Sequence, residues 1–513
     1  MDQEEDQVIA SIPSATLYGV DGRPVSVEVH VSGGFPSFTM VGLPDPAVRE
    51  ARDRVRAAIL SSGLAWPNQR ITVNLAPSGL RKGGAGLDLP IAVGILAAVG
   101  ELDSRGLDGI AFVGELGLDG SVRQVPGAVA LVSALSSPQA VVPAESMGEA
   151  LMAAAAGCRV RPASSLAKLV RVLKGLDSWE PPRPSISRAS REGSHLDLAD
   201  VHGQPVGRRA LEVAAAGGHH LLLVGPPGSG KTMLAMRLPG LLPALTREEA
   251  LEVSRVHSVA GMPYGLPELP ERPPFRAPHH SSSEVSIIGG GSAWLRPGEA
   301  SLAHCGVLFM DELGEFHANV LDMLRQPLEE GVVRVCRARA TATMPARFLL
   351  VAAMNPCPCG EGQASGRCRC SDAARSRYAR RLSSPILDRF DLVVPLGRPR
   401  TEEILGGKPG EGSAPVAERV AWVREVSRRR GFRANADVPA GSIDACAPLS
   451  AAASELLGRR LRDGSLSARG MHRVRRVALT IADLGAESVV EEHHVAEALA
   501  LRAARGVITA EGA

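Results

Sequence analysis

The stretch from Leu221 to Leu234, LLLVGPPGSGKTML, admits few folds. Its first four residues, Leu221 to Val224, are uniformly apolar and read as a strand buried on both faces, as in a parallel sheet. Gly225, Pro226, Pro227, Gly228, Ser229, Gly230, Lys231 and Thr232 then fit G-x-x-x-x-G-K-[ST], with candidate nucleotide contacts running on to Met233. Glycines let backbone N–H groups wrap phosphates closely, Lys231 reaches the β/γ oxygens, and Thr232 offers its hydroxyl to Mg²⁺. A glycine turn before an unrelated helix is the alternative, and a second motif weighs against it. Val307-Leu308-Phe309-Met310 is another buried strand, ending in Asp311-Glu312. There Asp311 would hold Mg²⁺ and Glu312 would polarise the attacking water. In this order the two motifs imply an ATPase that uses ATP and Mg²⁺.

A chain of 513 residues has room for about two to four domains. The net charge of +2 neither argues for nor excludes a polyanionic partner, since a local basic channel can sit within a balanced total. Lysine occurs only at Lys82, Lys168, Lys174, Lys231 and Lys408, which isolates Lys231 over a long span. No run approaches the roughly 18 apolar residues of a membrane span, and the acidic start MDQEED lacks the basic region of a signal peptide. A cytoplasmic protein with no membrane contact is expected. Eight cysteines in a chain this long do not make a secreted disulfide framework.

Along the chain, alternating residues between Ala15 and Val41, with turns at Asp21-Gly22 and Gly33-Gly34, read as a hairpin or meander. A helix from Pro46 to Leu60, a strand from Arg70 to Leu75 and a buried helix from Asp88 to Val99 follow. A strand and turn at Ile110 to Val122 precede an alanine-rich helix, a strand at Ala140 to Val142 and further helix to Leu173. The expected division is an α+β domain over 1–175, a proline- and serine-rich linker over 176–199, an α/β core over 200–405 and a helical domain over 406–513.

Lys82 to Ala98 (KGGAGLDLPIAVGILAA) and Gly114 to Ala130 (GELGLDGSVRQVPGAVA) resemble the proteolytic domain of Lon-type proteases. That resemblance puts Gly84 where a catalytic serine would stand and Val129 where the lysine would stand, so a retired, scaffolding version of the fold is expected. The segment from Pro274 through RAPHH, GGG, RPGE and LAHCGVLFMDEL resembles the magnesium-chelatase-like AAA+ proteins of the YifB/ComM type. The resemblance extends over nearly the whole chain.

It implies a Lon-like N-terminal domain, a P-loop core and a C-terminal helical lid, assembled as a homo-oligomeric ring, a hexamer, around a central pore. Insertions at Ile287 to Ser292 and a hairpin at Val332 to Thr343 would line that pore. If the hairpin segment ran on as one strand, Arg337 and Arg339 would share a face and could grip DNA, single-stranded or branched; a plain solvated face is the alternative. The resemblance also makes Asn355 sensor 1, Arg389 the arginine finger for a neighbouring subunit, with Arg381 as runner-up, and Arg469 sensor 2, with Arg473 close behind. Motion on DNA is the first function it implies. An ATP-driven remodeller of a protein partner, like the magnesium chelatase motor subunit, is the alternative.

Cys357, Cys359, Cys368 and Cys370 form two C-x-C pairs able to give four thiolates to one structural Zn²⁺; free thiols or two disulfides are the alternatives. Of three adjacent histidine pairs, His279-His280 is the better functional candidate because it lies in the RAPHH segment. His219-His220 and His493-His494 are read as surface or nucleotide-neighbouring residues.

Overall fold

The computed structural model describes residues 9–155, 157–181, 196–263, 268–291, 295–337, 340–362, 366–379, 381, 384–406 and 410–503. In the N-terminal region the strands Ile9–Tyr18, Asp21–Ser32 and Arg70–Ala76 pair antiparallel, and Ser37–Val41 adds to the last of them in parallel. The side chains of Val25, Val27 and Val29 alternate onto a buried face, as a period of two requires. They pack with the helix Asp88–Ala98, in which every residue from Asp88 to Ala97 is buried.

Two local expectations are corrected here. Tyr18 pairs with Asp21, so the hairpin turns at Gly19-Val20, and Asp21-Gly22 already belongs to the second strand. The reason is tertiary: Val20 is buried at the tip, against residues of the core, while Gly19 takes the positive φ of +64°. The expected helix running to Leu173 is interrupted by the strand Arg159–Ala163, which completes a parallel sheet with Gln139–Pro143 and Ile110–Phe112.

The core is a five-stranded parallel sheet in the order Phe275–Arg276, Val307–Met310, Leu349–Met354, Leu221–Val224, Leu392–Pro395. Each of the three central strands is buried throughout, which is why their sequences are continuous apolar runs. The chain leaves Leu221–Val224 toward one edge of the sheet and returns past it to the other. The carboxyl ends of Leu221–Val224 and Leu349–Met354 therefore flank the crevice where such sheets bind ligands.

The C-terminal helices Ser413–Arg429, Ala451–Arg462, Ala468–Leu484 and Glu492–Ala500 share one apolar core with the sheet and with the helix Pro205–Gly217. Ser467 caps the third of them by accepting from the Gly470 N–H. A backbone bond from Val393 N to Leu501 O, 2.8 Å, ties the bundle to the edge strand.

Between the two motifs, the insertion forms the short helix Glu284–Ile288 and a small two-stranded ladder. Ile287, expected to project into a pore, is instead completely buried in the core with Leu308, Val320 and Leu350. Ser292 lies outside the described residues. The hairpin expected at Val332 to Thr343 is present as Val332–Arg337 paired antiparallel with Ala340–Pro345, two strands and not one continuous strand. Arg337 ends the first strand, opposite Ala340; Arg339 lies outside the described residues. Ala342 and Met344 are buried with Val20, Ala130, Val256 and Leu302, so one face of the hairpin is an internal contact with the N-terminal region. On the other face Arg334 is exposed and pairs with Glu330 at 2.7 Å.

Candidate nucleotide site

The loop after Leu221–Val224 is forced to glycine by its surroundings. A Cβ on Gly225 would lie 2.5 Å from the Leu396 carbonyl oxygen, and Gly230 opens the helix Lys231–Ala235 at φ +82°. Lys231 Nζ donates to Gly225 O at 2.7 Å, to Pro226 O at 3.0 Å and to Asn355 Oδ1 at 3.2 Å. Burial pushes its ammonium below the ordinary lysine value, with Asp311 and Glu312 pulling the other way. An incoming phosphate would compete with the two carbonyls for these donors.

Thr232 Oγ1 donates to Asp311 Oδ2 at 2.7 Å, which joins the loop to the end of Val307–Met310. A hydroxyl and a carboxylate side by side are hard oxygen donors suited to Mg²⁺, which would neutralise phosphate charge there. Glu312 takes a left-handed backbone conformation, φ +53°, rare for a non-glycine residue, and its N–H donates to Asp311 Oδ1 at 2.9 Å. This turn carries the Glu312 carboxylate out to solvent, where His280 Nδ1 lies 3.1 Å from Oε2. The His280 ring stands edge-on to Phe316, and His279 bonds Ser281 instead. Pairing of His280 with Glu312 was not foreseen; only its place in the RAPHH segment singled it out.

Lys231, Thr232, Asp311 and Asn355 are thus linked directly, with Glu312 beside them. Arg389 and Arg469 are not among them. Asp391 N–H bonds His220 O, and Leu221 and Leu392 are register partners, so Arg389 lies at the amino end of the sheet. There a cavity of about 630 Å³ is lined by seven arginines, including Arg347, Arg389, Arg424, Arg473 and Arg476, against five acidic residues. Arg389 pairs with Glu329; burial, then Arg473, Arg325 and Arg469, lower its pKa. Arg469 is exposed on the first turn of Ala468–Leu484. Arg381 sits elsewhere, donating to Gly314 O at 3.2 Å and to Glu315 at 2.8 Å, just beyond the Asp311-Glu312 turn.

The amino end also corrects the reading of His219-His220. His219 is buried, 2.8 Å from Thr480 Oγ1 and 3.4 Å from Asp391 Oδ2. His220 Nδ1 accepts from Leu350 N–H, and burial pushes this imidazole down to about 4, so it is neutral at physiological pH. Burial alone would raise the Asp391 carboxyl, but the bond to His219 and the charges of His219 and Arg473 hold it well below the usual range. Of the third pair, His494 is buried, where its side chain accepts from Glu491 N–H, and His493 is exposed.

At Gly84 the backbone is at φ +83° with no side chain to act as nucleophile, and Val129 is fully buried, its N–H bonding Ser258 Oγ across to the core. The four cysteines do come together, their sulfurs all within 4.8 Å of one another. Among the described residues no helix is long and apolar enough to cross a membrane.

A parallel sheet with a P-loop, an acidic turn and a polar strand end together at its carboxyl end defines a P-loop ATPase core. Family models described as magnesium chelatase subunit ChlI match residues 197–405, those of subunit ChlI of Mg-chelatase residues 27–146, and the ChlI C-terminal model residues 410–502. YifB of Escherichia coli is 45% identical over 499 residues, covering 96% of this chain and 97% of the relative. The competence protein ComM of Haemophilus influenzae is 43% identical over 503 residues, covering 96% and 97%. The chain belongs to the magnesium-chelatase-like AAA+ family of the YifB/ComM type.

Proposed function

We propose that this chain hydrolyses ATP as a cytoplasmic homo-oligomeric ring, a hexamer, and uses the turnover to translocate on DNA and migrate branched strands. The observation that carries the ATPase reading is the direct linkage of Lys231, Thr232, Asp311 and Asn355. Lys231 and the loop N–H groups hold the phosphates, Thr232 and Asp311 hold Mg²⁺, Asn355 orients the γ-phosphate region, and Glu312 takes the proton of the attacking water. Arg389 acts on the ATP of the neighbouring subunit and Arg469 reports its state. Their distance from the P-loop of their own chain supports a role in trans.

DNA as the track is supported by the relative named for competence and by the arginine-rich sequence of the Val332 to Thr343 segment. The N-terminal region serves as a Lon-like scaffold without a Ser-Lys dyad, a reading supported by Gly84 and Val129. The competing reading, remodelling of a protein partner, is favoured by the magnesium chelatase family description.

The two readings part on one measurement. Forked or four-way DNA should raise ATP turnover and be separated or migrated, with binding that weakens as salt rises because phosphate contacts release counterions. Arg337→Ala combined with Arg339→Ala should lose the stimulation and retain turnover in the absence of DNA. Turnover indifferent to every DNA substrate, with no strand movement, would favour the remodelling motor.

A further inference from the structure

The carboxyl end of Leu349–Met354 carries Asn355 and, two residues on, the first of four cysteines. Cys357 Sγ lies 3.3 Å from Cys359 Sγ and 3.7 Å from Cys368 Sγ, and Cys359 Sγ lies 3.7 Å from Cys368 Sγ. A tetrahedral Zn²⁺ with Zn–S bonds of about 2.3 Å sets its sulfurs about 3.8 Å apart. Disulfides do not account for the arrangement, because all four cysteines are free. A cluster with two metal centres would need some sulfurs farther apart than the 4.8 Å that encloses all four. Backbone donors surround the group: Gly362 N–H points at Cys357 Sγ at 3.3 Å, and the N–H groups of Glu361 and Arg369 point at Cys359. Such donors stabilise thiolates and fix their orientation toward a cation.

What this group touches gives it a role. Gly360 N–H closes a turn onto Cys357 O at 2.9 Å, with Gly360 at φ +83°. The turn sits so tightly on the P-loop that a Cβ at Gly360 would lie 2.7 Å from Pro227 Cδ. Arg398 completes the contact, bonding Glu361 at 2.7 Å and the Pro227 carbonyl at 3.4 Å. We infer that Cys357, Cys359, Cys368 and Cys370 bind one Zn²⁺ per chain, and that this metal clamps the Cys357–Gly360 turn against Pro227 so that nucleotide affinity depends on metal occupancy. With four protein ligands the ion has no open position, so it positions the P-loop and takes no part in the chemistry. The metal site stands without the ATPase reading; its coupling to nucleotide rests on that reading.

The test uses the full-length protein purified under reducing, chelator-free conditions. Metal analysis should find about one zinc per chain, and Co²⁺ exchanged into the site should give the intense visible bands of tetrahedral thiolate coordination. Cys368→Ser combined with Cys370→Ser should lose both. Stripping the metal from wild-type protein with a mercurial and chelator, then restoring the thiols, should weaken binding of a fluorescent ATP analogue by about tenfold or more. Adding Zn²⁺ back should restore it, which separates a local clamp from irreversible unfolding. No zinc, iron in its place, or no cobalt spectrum would overturn the site. Equal nucleotide affinity with and without metal would overturn the coupling. Failure of the ATPase reading looks different, for zinc-loaded protein would then bind no nucleotide at all.

Discussion

The two ends of the central sheet are built on opposite plans. At the carboxyl ends of three adjacent strands, Lys231 bonds Asn355, Thr232 bonds Asp311, and Glu312 stands beside them with its N–H on Asp311. At the amino end, seven arginines converge on a cavity, but no P-loop is there and the acids present are already engaged in part, Asp391 by His219 and Arg473, Glu329 by Arg389. On the proposed reading the carboxyl end holds phosphate and metal, and the arginines described near it are engaged locally, Arg381 with Glu315 and Arg398 with Glu361, while the amino end gathers arginines without a P-loop. Within a single chain they are separated by the length of the sheet. On that reading the two ends are halves of one site, complementary in charge, which would meet if copies stacked carboxyl end to amino end. Such a head-to-tail contact is heterologous, and closing it gives a ring.

The largest expected effect breaks the comparison directly. Lys231→Ala should abolish nucleotide binding. Arg389→Ala should leave binding intact and slow turnover by about a thousandfold or more, the usual scale for an arginine finger. Mixing the two inactive proteins should restore activity, approaching about a quarter of wild-type in an equal mixture, because a heterologous interface can then pair an intact P-loop with an intact arginine from its neighbour. If Arg389 served its own chain, the mixture would stay inactive, and steady-state ATPase assays across mixing ratios distinguish the two cases.

Next in size is the carboxyl end alone. Glu312→Gln removes the base and keeps the shape, so turnover should fall by about a hundredfold to ten-thousandfold while ATP remains bound. Equilibrium binding and single-turnover hydrolysis measured side by side check this. Wild-type turnover in the variant would remove Glu312 from the reaction.

The carboxyl end was legible in the sequence because its parts are contiguous: Gly225 to Thr232 is one loop, Asp311-Glu312 one turn, and the cysteines lie within one short segment. Strand identity was legible for the same reason, since Leu221–Val224, Val307–Met310 and Leu349–Met354 are buried on both faces and therefore wholly apolar. The amino-end cavity was not. Its arginines come from two loops (Arg347, Arg389) and two helices (Arg424, Arg473), and in an arginine-rich chain no spacing marks them out. His219 and His220 were misplaced because a histidine pair before a strand gives no sign that Thr480 and Leu350 will meet it. The hairpin turn moved from Asp21-Gly22 to Gly19-Val20 because burial of Val20 against the core outweighs local turn preference.

The smallest effect concerns how the carboxyl end is held between turnovers. Glu312 sits in a strained left-handed turn, and the contact drawn on its side chain is the one to His280. A hydrogen bond to a charged group is worth about 1.5–3 kcal/mol when buried and less at an exposed carboxylate such as this one. His280 also belongs to the segment that leads into the insertion, so its position is tied to whatever that insertion contacts. If His280 holds the carboxylate away from the attacking water, His280→Ala should raise basal ATP turnover about twofold to fivefold, the equivalent of roughly 0.5–1 kcal/mol. It should also reduce the further stimulation available from a ligand, since part of that stimulation is the release of Glu312. Nucleotide affinity should not change, because the contacts described for His280 are with Glu312, His279 and Phe316. Should His280 instead help orient Glu312 for catalysis, the same substitution would lower basal turnover with affinity unchanged. The sign of the change therefore separates a restraint from a helper, and either sign keeps the effect on the carboxyl end of the sheet.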